Sequence, residues 1–284
     1  MSDWSDWIGR EMRAADRLDP ALAARWSATF DRDPLADEAM PQGIHLCLCT
    51  PEARTGQLGE DGHPLRDDSP ASFLPPVPLP RRMWASSAMQ FHTPIAVGAS
   101  IERISHIASV EAKSGGRGDM VFVEVDHETS VDGQLAVSER QTLVYLEALA
   151  DDAPLSPPPH SGGLFDPSDW DTQRIVHPDE RLLFRYSALT FNAHRIHYDR
   201  DYCLNEEGYP GLVVHGPLSA TLMVDAFMRN HPGVELKTFA FQARKPIFDN
   251  TPVAYVGRET GEGTYEVGAV DPEGTVCLKG TITV

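Results

Sequence analysis

Hydrophobic positions along the 284-residue chain follow two rhythms, and each occurs in both halves. Strand-like runs rich in β-branched and apolar residues occupy 83–92, 100–114, 119–131 and 135–149. The glycine-containing turns GGRGD (115–119) and DGQ (132–134) divide them, which is the punctuation of an antiparallel meander. Further strand-like runs follow at 237–248, 253–260, 264–271 and 275–284. Leu218, Leu222, Met223, Ala226 and Phe227 recur at helical spacing, with Pro217 in the first turn and Gly233 past the end, so 216–233 is predicted to be one well-defined helix. A shorter helical stretch covers 178–191. The first 40 residues read as two helices, Trp4–Leu18 and Pro20–Phe30, the second with proline at a first helical position. Prolines preclude regular helix between Arg54 and Pro80.

The halves also share local wording. FHTPIAVGASI (91–101) is similar to QARKPIFDNTPV (242–253) around Pro94-Ile95 and Pro246-Ile247. The runs from Val131-Asp132 and Val270-Asp271 are similar in the same way. The expected organisation is a first half over 1–150, a proline-rich linker over 151–163 and a second half over 164–284. Each half is an α+β unit with a helix packed on a curved antiparallel sheet, and the two sheets pair about a pseudo-twofold.

Composition narrows what such a molecule does. A formal charge of -18 excludes a non-specific nucleic-acid binder, which needs clustered cations to displace counterions from phosphate. No apolar run approaches the length of a membrane span, and the acidic, amphipathic start is unlike a signal peptide, so a cytoplasmic protein with no membrane partner is expected. Four scattered cysteines, Cys47, Cys49, Cys203 and Cys277, match neither a disulfide framework nor a redox or zinc motif.

Chemistry concentrates in ALTFNAHRIHYDRDY, residues 188–202. His194, His197 and the downstream His215 suggest a metal cage, but no HExxH glutamate is present and Arg195 places a cation between the first two. No metal is expected. Imidazole titrates near neutrality, so His197 is the candidate acid/base group. In GLVVHGPLSATL, Gly216 opens the predicted helix, whose first-turn amides are unpaired and carry the positive dipole end. A carbonyl oxygen bound there gains roughly 3 to 4 kcal/mol per donor as charge develops on it.

FRYSALTFNAHRIHYD, followed about twenty residues later by VVHGPLSATLM, resembles the MaoC-like hydratase/dehydratase family of hot-dog proteins. In wording it is most similar to the branch that holds mesaconyl-C4-CoA and itaconyl-CoA hydratases and type 2 hydroxyacyl-thioester dehydratases. The likeness spans most of 165–284 and is more diffuse in the first half, around MWASSAMQF. It implies a double hot-dog fold, a homodimer, no cofactor beyond the CoA of the substrate, and reversible hydration of an α,β-unsaturated acyl-CoA. The acyl group expected is a short dicarboxylic one such as mesaconyl-C4 or itaconyl. Alternatives on the same scaffold are a fatty-acid 3-hydroxyacyl-thioester dehydratase, a thioesterase and a non-catalytic acyl-CoA-binding subunit.

The wider family uses an aspartate and a histidine five residues later. His197 matches the histidine, but Asn192 stands at the carboxylate position and cannot accept a proton, so it is expected to position water or substrate. His194 or Asp199 could supply the second function, Asp199 by orienting the His197 ring. The Gly216 amide is expected to hold the thioester oxygen, with Tyr186, Thr190 and Ser219 lining the pocket. Arg195, Arg185 or Arg82 could bind a substrate carboxylate bidentately, and Arg244 and Lys245 could meet the CoA phosphates.

Overall fold

In a computed structural model that describes residues 4–33, 39–115, 118–148 and 165–284, ten strands pair antiparallel in one sheet. The first half supplies β1 (Glu11–Arg17), β2 (Arg81–Phe91), β3 (Ser100–Gly115), β4 (Gly118–Val131) and β5 (Gln134–Leu146). The second supplies β6 (Thr172–Val176), β7 (Thr238–Ala243), β8 (Val253–Gly261), β9 (Thr264–Val270) and β10 (Val276–Thr283). Four α-helices accompany them among the described residues: α1 (Pro20–Thr29), α2 (Glu180–Leu189), α3 (Arg200–Asn205) and α4 (Gly216–Asn230). The linker expected over 151–163 lies outside the described residues.

The strand order β1-β3-β4-β5-β2-β7-β10-β9-β8-β6 reads as one five-strand order followed by its mirror, the double hot-dog arrangement. The halves join where β2 meets β7, Ala88 opposite Ala240 and Met89 opposite Phe239, so each half covers an edge the other would leave open. Pro94-Ile95 follows β2 as Pro246-Ile247 follows β7, and Val131 and Val270 end β4 and β9, so the sequence likenesses fall at equivalent places.

Strand β6 and helix α3 are absent from the sequence reading, and two further departures bear on the architecture. Glu11–Arg17 is a strand, where a helix is read from sequence: it hydrogen-bonds along β3 from Glu11 opposite His106 to Arg17 opposite Ser100. An otherwise open sheet edge outweighs a weak local preference for helix. The second departure is an asymmetry between the halves. The first has no counterpart of α4 among the described residues; short 3₁₀ turns form at Ile44–Cys47 and, within the proline-rich stretch, at Thr55–Gln57.

Helix α4 is buried on every side from Leu218 to Phe227, Asp225 included. Asp225 is tolerated there because three guanidinium groups close on it: Arg32 of the first half at 2.5 Å, Arg229 at 2.8 Å, and Arg174 of β6. Asp225→Asn leaves that cluster of cations without its counter-charge. It is expected to cost about 3 kcal/mol in urea denaturation, the scale for removing one partner of a buried ion pair, and an unchanged midpoint would sink this account.

Candidate active site

The polar segment at 188–202 forms a turn between α2 and α3. The Asn192 carboxamide oxygen accepts the His194 amide at 2.9 Å, which curls the chain so that His194 and His197 face the start of α4. Asp199 caps α3 through the Tyr202 amide, and its carboxylate takes the Arg195 guanidinium at 2.7 Å. This corrects two expectations. Asp199 does not orient His197, because it is committed to a helix cap. Arg195 is not free for a substrate, because it is paired with Asp199, lies over the Tyr202 ring and donates to the Glu60 carbonyl.

The group that orients His197 is a main-chain oxygen. Nδ1 lies 2.7 Å from the Val213 carbonyl, which can only accept, so the proton is on Nδ1 and the lone pair is on Nε2. The carbonyl is held in turn: the Val213 amide donates to Ile196, the Val214 amide donates to Ile247, and the Leu212 amide donates to the buried Asp249, itself paired with Arg200. Burial pushes His197 down to about 4, so the ring is neutral at pH 7 and able to take a proton.

His197 is one of four imidazoles in successive contact. Its ring stacks on His215 at 3.5 Å and meets His194 edge-on at 5.4 Å, and His194 lies 3.7 Å from His63 of the first half. His215 Nε2 is taken by the Ser187 hydroxyl at 2.9 Å. Stacked rings aim their in-plane lone pairs alongside one another, so His197 and His215 are not arranged as ligands of a shared ion. Burial holds His194 at about 2 and His215 well below the usual imidazole range, and the neighbouring rings add to the effect.

Gly216 begins α4 directly after His215. Pro217 has no amide hydrogen, and none of the backbone hydrogen bonds among the described residues uses the Gly216 amide as donor, so it remains available to an acceptor. A side chain at Gly216 would come within 3.7 Å of the Trp84 ring, which places β2 of the first half across from the helix start.

The remaining expected residues divide. Tyr186 is buried edge-on to His215, Thr190 bonds back to the Tyr186 carbonyl, and Ser219 is buried in α4 beside Tyr255. Arg185 donates to the Ala28 carbonyl of the first half. Arg82 differs: its charge bears on both His63 and His194, and among the described residues its guanidinium has no hydrogen bond or ion pair. Arg244 and Lys245 are exposed just past β7.

Sequence reading missed Asp61, His63 and Asp249. Asp249 lies just past Pro246-Ile247, in the gap between two runs read as strands. The signal for the other two is an Asp-Gly-His run inside glycine and proline (GEDGHP, 59–64). That run docks on the histidine turn, with the Arg195 amide donating to the Asp61 carbonyl at 2.8 Å. Gly62 is in the left-handed region at φ +84°, and a side chain there would run into the Ala193 carbonyl, so only glycine lets the two segments meet this closely.

The chain is similar to characterised proteins over its whole length. A family model for hydroxyacyl-thioester dehydratase type 2 matches residues 43–249. A mesaconyl-C(4)-CoA hydratase of Chloroflexus aurantiacus is 40% identical over 284 residues, 99% of this chain and 98% of the relative. The mitochondrial hydroxyacyl-thioester dehydratase type 2 of Schizosaccharomyces pombe is 28% identical, covering 78% and 79%. Among solved structures, a MaoC-like dehydratase from Phytophthora capsici superimposes with a TM-score of 0.69 at 14% identity over 98% and 97% of the two chains. A double-hotdog protein of Mycobacterium tuberculosis does so with 0.56 at 12% identity over 97% and 96%. With the neutral base and open amide described above, these likenesses agree with a hydro-lyase: the chain belongs to the hydroxyacyl-thioester dehydratase type 2 family.

Proposed function

We propose that this protein reversibly hydrates an α,β-unsaturated acyl-CoA whose short acyl group carries a second carboxylate, of the mesaconyl-C4 or itaconyl kind. The observation that supports the carboxylate is Arg82. A guanidinium unpaired among the described residues of a strongly acidic chain, whose charge bears on two rings of the histidine cluster, is a ready partner for a carboxylate. In the forward reaction His197 Nε2 takes a proton from water, the oxygen adds to the β-carbon, and electron density moves to the thioester oxygen at the Gly216 amide. The full-length likeness to a mesaconyl-C(4)-CoA hydratase points the same way. Arg244 and Lys245, exposed beyond β7, are proposed to meet the CoA phosphates. The same reading carries a cytoplasmic homodimer that needs no cofactor, and light scattering in solution tests the dimer.

Incubation with crotonyl-, mesaconyl-C4- and itaconyl-CoA separates the possibilities. Loss of enoyl-thioester absorbance without thiol release is expected, with a carboxylated substrate preferred. Thiol release means a thioesterase, and no change means a binding subunit. Arg82→Gln is expected to lower kcat/KM for the carboxylated substrate about 100-fold, roughly 2.7 kcal/mol, while changing it less than about threefold for crotonyl-CoA. Equal losses on both would remove Arg82 from carboxylate recognition.

A further inference from the structure

Asn192 leaves the site with one evident proton-handling group, and a two-step addition of water is better served by two. The first half brings a candidate to the same place. His63 sits on a loop closed by the Gly59 amide donating to the His63 carbonyl at 2.7 Å and by a bridge between Leu58 and Pro64. The Asp61 carboxylate accepts the His63 amide at 3.0 Å and lies 3.3 Å from its Nδ1, which leaves Nε2 on the opposite edge of the ring. That ring lies 3.7 Å from His194, tilted against it, and its side chain remains about a third exposed, open to solvent protons.

We propose that His63, paired with Asp61, is the second acid/base residue of the reaction, supplied by the first half in place of the carboxylate that Asn192 lacks. The proposal rests on the hydratase reading. Water gives one proton to His197 Nε2 while its oxygen forms the bond to the β-carbon, and the π pair moves onto the thioester oxygen. The enolate then collapses, and its α-carbon takes a proton from the His63 imidazolium, whose charge Asp61 balances. One proton has entered His197 and one has left His63. The site resets when His197 gives up its proton to water and the partly exposed His63 takes one back from solvent.

The charges facing His63 fit this cycle. Burial lowers its proton affinity and Asp61 raises it, while Arg82 of β2 and Arg66 of its own segment lower it further; His194 and Arg195 of the histidine turn complete its surroundings. A substrate carboxylate on Arg82 cancels one of the lowering charges and so favours a proton on His63 as substrate binds. Asp61, His63 and His194 have donor atoms within 4.8 Å of one another, which would also suit a cation, but the charge of Arg82 bears on both rings and opposes one.

The test uses the full chain and the substrate that the wild type hydrates best. His63→Gln is expected to lower kcat at least 100-fold with KM within about threefold. The residual rate should lose its decline at alkaline pH, the limb on which the imidazolium deprotonates. Asp61→Asn should shift that limb to lower pH, because the imidazolium loses its counter-charge. A His63→Gln enzyme that keeps more than a third of kcat, or keeps the alkaline limb, overturns the proposal, as does inhibition by EDTA that zinc reverses. If the wild type hydrates no enoyl thioester, the hydratase reading fails first. An active wild type with an equally active variant sinks the His63 role alone.

Discussion

His197→Ala is expected to lower kcat for hydration by roughly 10³ to 10⁴, about 4 to 5.5 kcal/mol of transition-state stabilisation, with KM within about threefold. The asymmetry between kcat and KM follows from what the ring does. It is a small part of the surface a CoA thioester contacts, but its Nε2 is the atom left free to accept the water proton once Nδ1 is committed to Val213. Held at about 4, the imidazole is a weak base in the free enzyme. The enolate charge that grows at the nearby Gly216 amide raises its proton affinity during the step in which it acts. His197→Asn provides the stricter test: an amide can still donate to the Val213 carbonyl but cannot take a proton, so it should be nearly as inactive as alanine. An asparagine variant within tenfold of wild type would mean that His197 only holds the turn together.

How much of this was legible follows the range of the interactions involved. Helix α4 could be read because its apolar residues, Pro217 and Gly233 are local signals. His197 and Gly216 could be read because the chemistry of a residue type and a helix start are local too. Residues 11–17 were misread because their partner strand lies about ninety residues away, and nothing in EMRAADR announces it. Asp199, two residues from His197, looked like its orienting group, but the 3₁₀ turn directs it to the Tyr202 amide, and a carbonyl sixteen residues downstream does that work. Main-chain acceptors leave no trace in a sequence. His63 and Asp61 were visible only as polar residues in a proline-rich stretch, because their meaning depends on Gly62 docking against Ala193 across the two halves.

The second large effect concerns stability, and it follows from the number of histidines kept neutral. Burial holds His45 at about 3, His127 and His197 at about 4 and His194 at about 2, with His215 well below its usual range. Such a group binds fewer protons folded than unfolded, so stability rises with pH across the interval between its two values. It is fully present above the unfolded value near 6.5 and is lost as the pH falls from there toward the folded value. Each histidine contributes at most about 1.4 kcal/mol per pH unit in that window, and coupling between the stacked rings reduces the sum. The unfolding free energy is therefore expected to drop on the order of 5 kcal/mol between pH 7 and pH 5 in urea titrations. The opposing term is the net charge of -18, whose self-repulsion eases on acidification, and physiological salt screens most of it. His127 lies in the first half, bonded to Ser105 at 2.8 Å and outside the four-ring array. His127→Gln should therefore flatten the slope by up to about 1.4 kcal/mol per pH unit while leaving kcat at pH 7.5 unchanged. A wild-type curve flat from pH 7 to 5 would show that these rings accept protons in the folded protein, and His197 would then be a stronger base than its burial implies.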